Sequence, residues 1–410
     1  MSRVDVAIVG AGAAGIAAAR RLADLNRSVL LIEALPRLGG RARTEYLQGM
    51  PLDLGCGWLH SARRNPLAAE AETQGMVLDR SPSAWHRQLH NIYFSPQEQR
   101  EAWAAFSELT ERLHKNPPPS DCAGDALAAD DRWRPFIDGV SSFINGTELD
   151  QLSAADYVAY EDASSEDNWR LPGGYGAFIC GLATGIPAAL ETQVRSVTFG
   201  ADVALETTRG TLHALAAIVA VPTPILAQGG IRFSPACDDH LQAASRLPLG
   251  LADKVYLSIA ESGTVPPESH LIGRIDRAAT GSYYLRPFGR PLIECYLGGA
   301  CARDLESAGP LAAFAFAINE LRDLLGAEFA RGLTPLTATR WAHEPTIGGS
   351  YSHALPGHAA ARGVLARPLN ERCCFAGEAC SRSDFSTAHG AWQSGLEAAD
   401  RIEHHLKMTY

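Results

Sequence analysis

The hydrophobic pattern opens with residues 4–9, which alternate at first and then become wholly apolar. A strand covered on both faces reads this way, as in a parallel sheet. A glycine-rich turn follows. Ala13 to Leu22 then sets small apolar residues at helical spacing, which suits close packing on a sheet. Ser28 to Ile32 predicts a second strand that ends at Glu33. Together they form a βαβ unit with a right-handed crossover.

Beyond Gly39 the chain is loop-rich as far as His60. Residues 65–115 carry mostly helical spacing, interrupted by a polar stretch near 80–95. Asn116-Pro-Pro-Pro-Ser is a rigid break. Further helical segments fill 121–160, and Pro172–Gly176 makes a turn before another helix. Residues 190–222 predict three short strands, with Arg209-Gly210 as a turn. Lys254–Ala260 is a strand, residues 282–299 add strand-like runs, and 311–325 form an amphipathic helix. The last helix starts near Gly390 and runs to about Leu406.

The nucleotide-binding pattern thus opens at residue 5 and closes near 405. The expected fold class is α/β, with a discontinuous Rossmann-like dinucleotide domain from residues 1–75, 172–250 and 340–410. An α+β substrate domain, an antiparallel or mixed sheet flanked by helices, comes from 76–171 and 251–339.

Composition adds bounds. The 46% hydrophobic and 20% charged content suits an ordinary globular chain. A net charge of -10 argues against a nucleic-acid partner, which needs a basic patch, and either favours a cationic substrate or simply aids solubility. Nine cysteines fall in no zinc spacing, so buried free thiols and no metal are expected. No window holds the eighteen apolar residues of a membrane span, and no basic leader precedes the first apolar run. A cytoplasmic protein without a membrane partner is the expectation, with a homodimer as the commonest symmetric default.

Gly10, Gly12 and Gly15 keep the GxGxxG spacing directly after a strand. The first permits the turn, the second admits a pyrophosphate, and the third lets helix and sheet approach. Ala13 and Ala14 open the helix whose amides face the phosphates. Glu33, at the end of the second strand, is placed to accept from ribose hydroxyls. Gly39-Gly40-Arg41 follows six residues later and brings a cation back to the phosphates. NAD-dependent dehydrogenases do not usually need this second loop, so the cofactor expectation moves to FAD.

Six ordered landmarks span nearly the whole chain: Gly10–Gly15, Glu33, Gly39–Thr44, Asp53–His60, Trp341–Tyr351 and Phe375–Gly395. With Lys254 as a seventh, the chain resembles the flavin-containing amine oxidase superfamily. That superfamily includes monoamine oxidases, polyamine oxidases, L-amino-acid oxidases and lysine-specific histone demethylases. By this resemblance Gly377 and Glu378 form the C-terminal flavin motif, and His389 to Ala391 run beneath the isoalloxazine. Val194 pairs its backbone with adenine, while Gly57 and Trp58 join the cofactor set. Lys254 stands opposite flavin N5 and holds a water. Trp341 reaches the flavin face, and Tyr351 forms one aromatic wall of the amine site. His60 matches a histidine lining the substrate tunnel of polyamine oxidases, where its ordinary pKa would let it titrate near neutrality.

Two departures matter. Monoamine oxidases carry a flavin-linking cysteine where this chain has Ser350, so non-covalent FAD is expected. They also carry a second cage tyrosine where this chain has Thr387, a pattern closer to polyamine oxidases and histone demethylases. Either the aromatic cage is open there, or Phe385 or Trp392 completes it. Glu161, Asp162, Glu166 and Asp167 form a candidate acidic mouth, although such runs are more commonly solvated surface.

The resemblance implies an FAD-dependent amine oxidase that converts a primary or secondary amine to an imine and reduces oxygen to hydrogen peroxide. Its alternatives are an L-amino-acid oxidase, a flavin-dependent desaturase or isomerase, and a non-catalytic flavoprotein partner. The first of these needs a cation for the substrate carboxylate, for which Arg170 and Arg286 are the candidates.

Overall fold

The computed structural model describes residues 3–409 except 86, 87, 91, 92 and 261–264. In chain order the strands are β1 Val4–Val9, β2 Val29–Ile32, β3 Thr44–Leu47, β4 Met50–Asp53 and β5 Ala188–Ala189. Next come β6 Val194–Phe199, β7 Val203–Thr207, β8 Gly210–Val219, β9 Arg232–Ser234 and β10 Ala252–Ile259. Last are β11 Ser269–Ile272, β12 Ser282–Leu285, β13 Leu292–Gly298, β14 Leu333–Ala338 and β15 Cys373–Phe375.

The larger sheet has the order β5-β2-β1-β8-β7-β6-β9, with β15 against β8. Its β5-β2-β1-β8 side is parallel, as is β15 with β8, whereas β6, β7 and β8 form an antiparallel meander. It is a mixed sheet flanked by helices. Val6, Ala7 and Ile8 of β1 are fully buried, as an apolar central strand must be.

Helix Ala13–Asp24 covers one face with eight buried residues and stops where Asn26 turns left-handed at φ 62°. The final helix, Ala388–Thr409, packs against it. A Cβ on Gly395 would fall 2.1 Å from the Ala14 carbonyl oxygen, so this contact requires glycine. Arg21–Asp400 and Arg27–Glu403 ion pairs, both 2.7 Å, tie the two chain ends further along.

The second sheet, β11-β12-β13-β10-β14, is antiparallel throughout. Of the two forms expected for this region, it takes the antiparallel one. Its side chains alternate. Leu271, Tyr283, Ile293, Cys295, Val255 and Leu257 enter an apolar core, which helix Pro310–Leu325 closes with Ala313, Ala317, Leu321 and Leu324. Each fully buried leucine or isoleucine there contributes about 1.5–3 kcal/mol. The opposite face presents Ser282, Tyr284, Glu294, Tyr296, Lys254 and Tyr256 to a cavity.

Some elements depart from the pattern reading. The loop-rich stretch after Gly39 contains the hairpin β3-β4, registered Thr44 to Asp53. β11 and β14 are sheet edges, and β14 carries Pro335. A proline is tolerated on an edge strand, where its missing N–H costs no ladder bond, but it hides the strand from propensity. Helices Asp238–Ser245 and Gly299–Ala308 are likewise too short to announce themselves. No helix among the described residues is long and apolar enough to cross a membrane.

Candidate active site

The ends of β1 and β2 lie side by side. Glu33 leaves β2 buried, and its two carboxylate oxygens accept from the amides of Ala11 at 2.7 Å and Leu35 at 2.9 Å. This pins the glycine turn to the second strand. Gly10 adopts φ 95°, and a Cβ there would meet the Ala220 carbonyl oxygen at 2.5 Å. Gly15 is tighter, with Gly10 oxygen 1.9 Å from the position of a Cβ. Gly12 differs, because a Cβ would find only Gly39 oxygen, at 3.9 Å. The helix then begins with no side-chain cap and no acidic residue in its first turn. That start leaves a partial positive charge and open backbone facing space.

A ladder of buried charge borders this turn. Arg41 donates to Glu378 at 3.0 Å and to the Ser350 carbonyl at 2.7 Å. Glu378 accepts also from the Ser352 hydroxyl at 2.6 Å and the Ser386 amide at 2.9 Å. Ser352 meets Arg362, whose guanidinium forks onto Asp156 at 2.6 and 2.8 Å. Burial alone would raise the Glu378 carboxyl; Arg41, Arg362 and the hydrogen bonds outweigh it and hold it below the usual range.

Lys254 emerges from β10 beneath this ladder, almost fully buried. Its Nζ donates to the Asp53 carbonyl at 2.8 Å and pairs with Glu294 at 2.7 Å. Burial pushes its ammonium toward neutrality, but Glu294, Tyr296 and Asp53 more than offset it, and the net shift is upward. The Tyr351 hydroxyl donates to the Phe143 carbonyl at 2.5 Å and lies 3.4 Å from the Tyr296 hydroxyl. Burial lifts Tyr351 well above its ordinary value, so it stays a phenol. Trp341 is buried and donates its indole N–H to the Leu54 carbonyl at 3.3 Å. Ser350 exchanges hydrogen bonds with the Ala252 backbone at 2.8 and 2.9 Å.

Farther along, Trp58 packs on Trp85 with centroids 4.5 Å apart and on Tyr284 at 5.9 Å. His60 Nδ1 meets the Asn168 side-chain oxygen at 2.7 Å, which leaves Nε2 as an acceptor. Burial, only partly offset by that hydrogen bond, pushes His60 down to about 4. It is therefore neutral at pH 7 and does not titrate near neutrality, as its ordinary value had suggested.

One cavity of about 1060 Å³ joins these parts. Gly10, Gly12, Ala13, Ala14, Glu33, Gly40, Arg41 and Val194 line it, together with Gly57, Trp58, His60 and Lys254. Trp341, Tyr351, Gly377, Glu378 and Ala391 line it too. Gly15 and His389 do not. Gly15 serves the packing of the turn, and the buried His389 ring turns to Asp384 at 3.1 Å. Phe385 lies beneath Arg362, 3.5 Å from its guanidinium carbon, and Trp392 belongs to the core, so neither completes an aromatic cage. Tyr296 stands beside Tyr351 instead. Thr387 caps the last helix, accepting from the Gly390 amide at 2.9 Å. The acidic run divides. Glu161 and Glu166 line the cavity, whereas Asp162 pairs with His114 and Asp167 with Arg63 at the surface.

Tyr296, Glu294, Tyr284 and Trp85 escaped the sequence reading, and Asp53 entered it only as the start of a landmark. The strand 292–297 carried a usable signal, because Glu294 and Tyr296 alternate with Ile293, Cys295 and Leu297. That is the period of a strand with one face in a site.

The sequence profile of flavin-containing amine oxidoreductases matches residues 13–403. The chain belongs to that family. The oxidoreductase is 28% identical to polyamine oxidase 2 of Arabidopsis thaliana, over 97% of this chain and 87% of that protein. It is also 28% identical to lysine-specific histone demethylase 1 homolog 2 of Oryza sativa subsp. japonica, across 98% of this chain but 57% of that longer protein. In structure it resembles cyclohexylamine oxidase from Brevibacterium oxydans IH-35A, with a TM-score of 0.80 at 20% identity, covering 99% of this chain and 100% of that one.

The residues fit the family's cofactor. Gly12 and Gly377 both line the cavity, and a Cβ on Gly377 would meet nothing within 4 Å. Backbone is thus open to the cavity at the uncapped helix start and again at Gly377. The protein is an FAD-dependent oxidoreductase acting on amine groups, and its FAD is non-covalent, with Ser350 bonded into β10 where a linking thiol would stand.

Proposed function

We propose that this oxidoreductase oxidises a primary or secondary amine of small to medium size to an imine, which water converts to a carbonyl product, with oxygen reduced to hydrogen peroxide. The observation that carries this is the meeting, in one cavity, of the dinucleotide turn with Lys254, Tyr351 and Tyr296. Bound FAD supplies a two-electron acceptor that passes its electrons to oxygen. In this proposal residues 1–75, 172–250 and 340–410 hold the cofactor, and 76–171 with 251–339 shape the substrate site. Gly12, Ala13 and Ala14 face its phosphates, Glu33 its ribose, and Val194 its adenine. Arg41, Gly377, Glu378 and Ala391 complete the cradle.

The chain's own groups then have separable tasks. Tyr351, Tyr296 and Trp341 exclude water and hold the alkyl part of the amine. Aromatic faces also tolerate its cationic form on entry. The α-hydrogen leaves as hydride only when the nitrogen lone pair is free, so the ammonium must first lose a proton. Neutral His60, with Nε2 unprotonated, accepts a hydrogen bond from a second polar group on the substrate. Lys254 holds a water for imine hydrolysis or proton delivery to oxygen. The step needs placement more than a strong base.

An L-amino-acid oxidase is less well supported. Arg170 is buried and already meets Asp79 at 2.5 Å and Glu268 at 2.6 Å, and Arg286 donates to the Val265 carbonyl. The Arg170 cation is thus already paired with two carboxylates, and Arg286 does not line the cavity.

The test is an anaerobic screen of monoamines, diamines, acylated polyamines and amino acids, watching flavin absorbance, then readmission of oxygen with a peroxide assay. Bleaching by an amine class followed by peroxide is the expected result. Absence of bleaching by every amine would overturn the proposal. Lys254→Met should keep FAD and lower turnover or reoxidation about 100-fold, the scale of a lost proton-transfer group.

A further inference from the structure

The chain has three lysines among 36 basic residues. Lys115 and Lys407 are exposed, 71% and 65%, and pair with glutamates one helical turn away. Lys254 is the exception, with 5% of its side chain exposed. Its neighbours follow from register. On β13, Tyr296 lies directly opposite Lys254 and Glu294 opposite Tyr256, so all four share the cavity face. Glu294 reaches diagonally to the ammonium at 2.7 Å, with 22% of its own side chain open to the cavity.

The ammonium is held from a second side. The Asp53 carbonyl, at the end of β4, accepts from Lys254 Nζ and from the Tyr256 hydroxyl, each at 2.8 Å. Gly57 lies so close that a Cβ there would stand 3.2 Å from Nζ. Two of the three ammonium N–H donors are therefore assigned, and one is left for the reacting centre.

We propose that Glu294 is the positioning residue for Lys254: its carboxylate fixes where the ammonium stands and keeps it charged between turnovers. This rests on the reading that Lys254 works at the reacting centre. The groups facing Lys254 are Glu294 and Tyr296 on β13, Tyr256 on its own strand, and Asp53 and Cys56 on the neighbouring loop. Among these only Glu294 is a carboxylate in direct contact. Asp53 touches the ammonium through its backbone, and its side chain is occupied by Thr44 and the amides of Tyr175 and Gly176. Removing the Glu294 charge leaves burial as the dominant influence, which favours the neutral amine.

The holoenzyme, labelled with ¹³C-lysine, provides the test, because its three Cε resonances include two surface lysines as internal references. Lys254→Met assigns the third. In the wild type, the Lys254 signal should hold its ammonium position well into the alkaline range. In Glu294→Gln it should titrate at least one pH unit lower than in the wild type, a tenfold or greater change in the equilibrium. The alkaline limb of kcat should move to lower pH by a similar amount, with KM less affected. Glu294→Asp keeps the charge and should titrate nearer the wild type while kcat falls. Identical Lys254 titrations in all three proteins would overturn the proposal. The titration needs no substrate, so a failed amine screen and a failed Glu294 assignment are read separately.

Discussion

Gly12 and Gly15 belong to one motif but meet different neighbours. Gly15→Ala places a methyl 1.9 Å from the Gly10 oxygen, where strand and helix cannot part. It should lower stability by about 3 kcal/mol, the upper range for overpacking, measured by denaturant unfolding of the flavin-free protein. Gly12→Ala places its methyl in open cavity. It should leave that unfolding curve unchanged and weaken FAD binding at least tenfold, measured by flavin fluorescence. The GxGxxG spacing made the turn legible, because few other uses require glycine at those intervals. The spacing also read the second glycine as facing a ligand and the third as facing protein, and a Cβ on Gly12 does meet open space where one on Gly15 meets Gly10. His60 shows where residue identity stops being enough. Its identity suggested titration near neutrality, yet burial, only partly offset by the Asn168 hydrogen bond, moves it to about 4.

At the scale of the element, β10 carries two ionisable residues back to back. Lys254 faces the cavity, whereas Asp253 points away, accepting from the Thr339 hydroxyl at 2.7 Å and the Trp341 amide at 3.3 Å. Burial and the neighbouring Glu306 push the Asp253 carboxyl up. A carboxyl raised on folding contributes stability at low pH that is lost as pH rises through its folded value. Asp253→Asn should therefore gain on the wild type as pH rises from about 4, where the carboxyl of the unfolded chain ionises, to about 8, where the buried one does. Asp253→Ala, which leaves the Thr339 and Trp341 donors without an acceptor, should cost about 2–3 kcal/mol. Thermal melts across pH check both. The strand itself was legible from its apolar alternation. Its antiparallel partners β13 and β14 were not both visible, because edge strand β14 contains a proline and has little buried pattern.

The whole molecule is held by contacts between segments far apart in sequence. Asp156 and Arg362 are each 1% exposed and form a fork 206 residues apart, linking the helix Ala154–Ala163 to the Glu378 ladder. Arg362→Met would strand a buried carboxylate and should cost about 3–5 kcal/mol. The double variant Asp156→Asn, Arg362→Met should recover much of that loss in urea unfolding. Acid has a separate effect. His60 and His353, pushed down by burial to about 4 and about 3, stay neutral in the fold where the unfolded chain takes up protons. The two histidines should therefore take away stability as pH drops below about 6.5, by about 2 kcal/mol each at pH 5. Chemical denaturation of the wild type, His60→Gln and His353→Gln at pH 7.5, 6 and 5 measures it, and identical pH slopes in all three would contradict the assignment of two neutral buried imidazoles.

The sequence by itself determined the dinucleotide turn, the ordered landmarks of an amine-oxidising flavoprotein and most of the long elements. Each rests on local spacing: glycines at fixed intervals, an acid at a strand end, apolar residues at period two or near 3.6. Only the tertiary structure decided what surrounds each side chain. It set Glu294 against Lys254, put Tyr296 rather than Phe385 or Trp392 beside Tyr351, and turned His389 away from the cavity. It also divided the acidic run into a cavity pair and a surface pair. The physical reason is that local backbone preference fixes which way a residue faces along its own element. Burial, charge partners and proton affinity come from elements that the chain brings together hundreds of residues later.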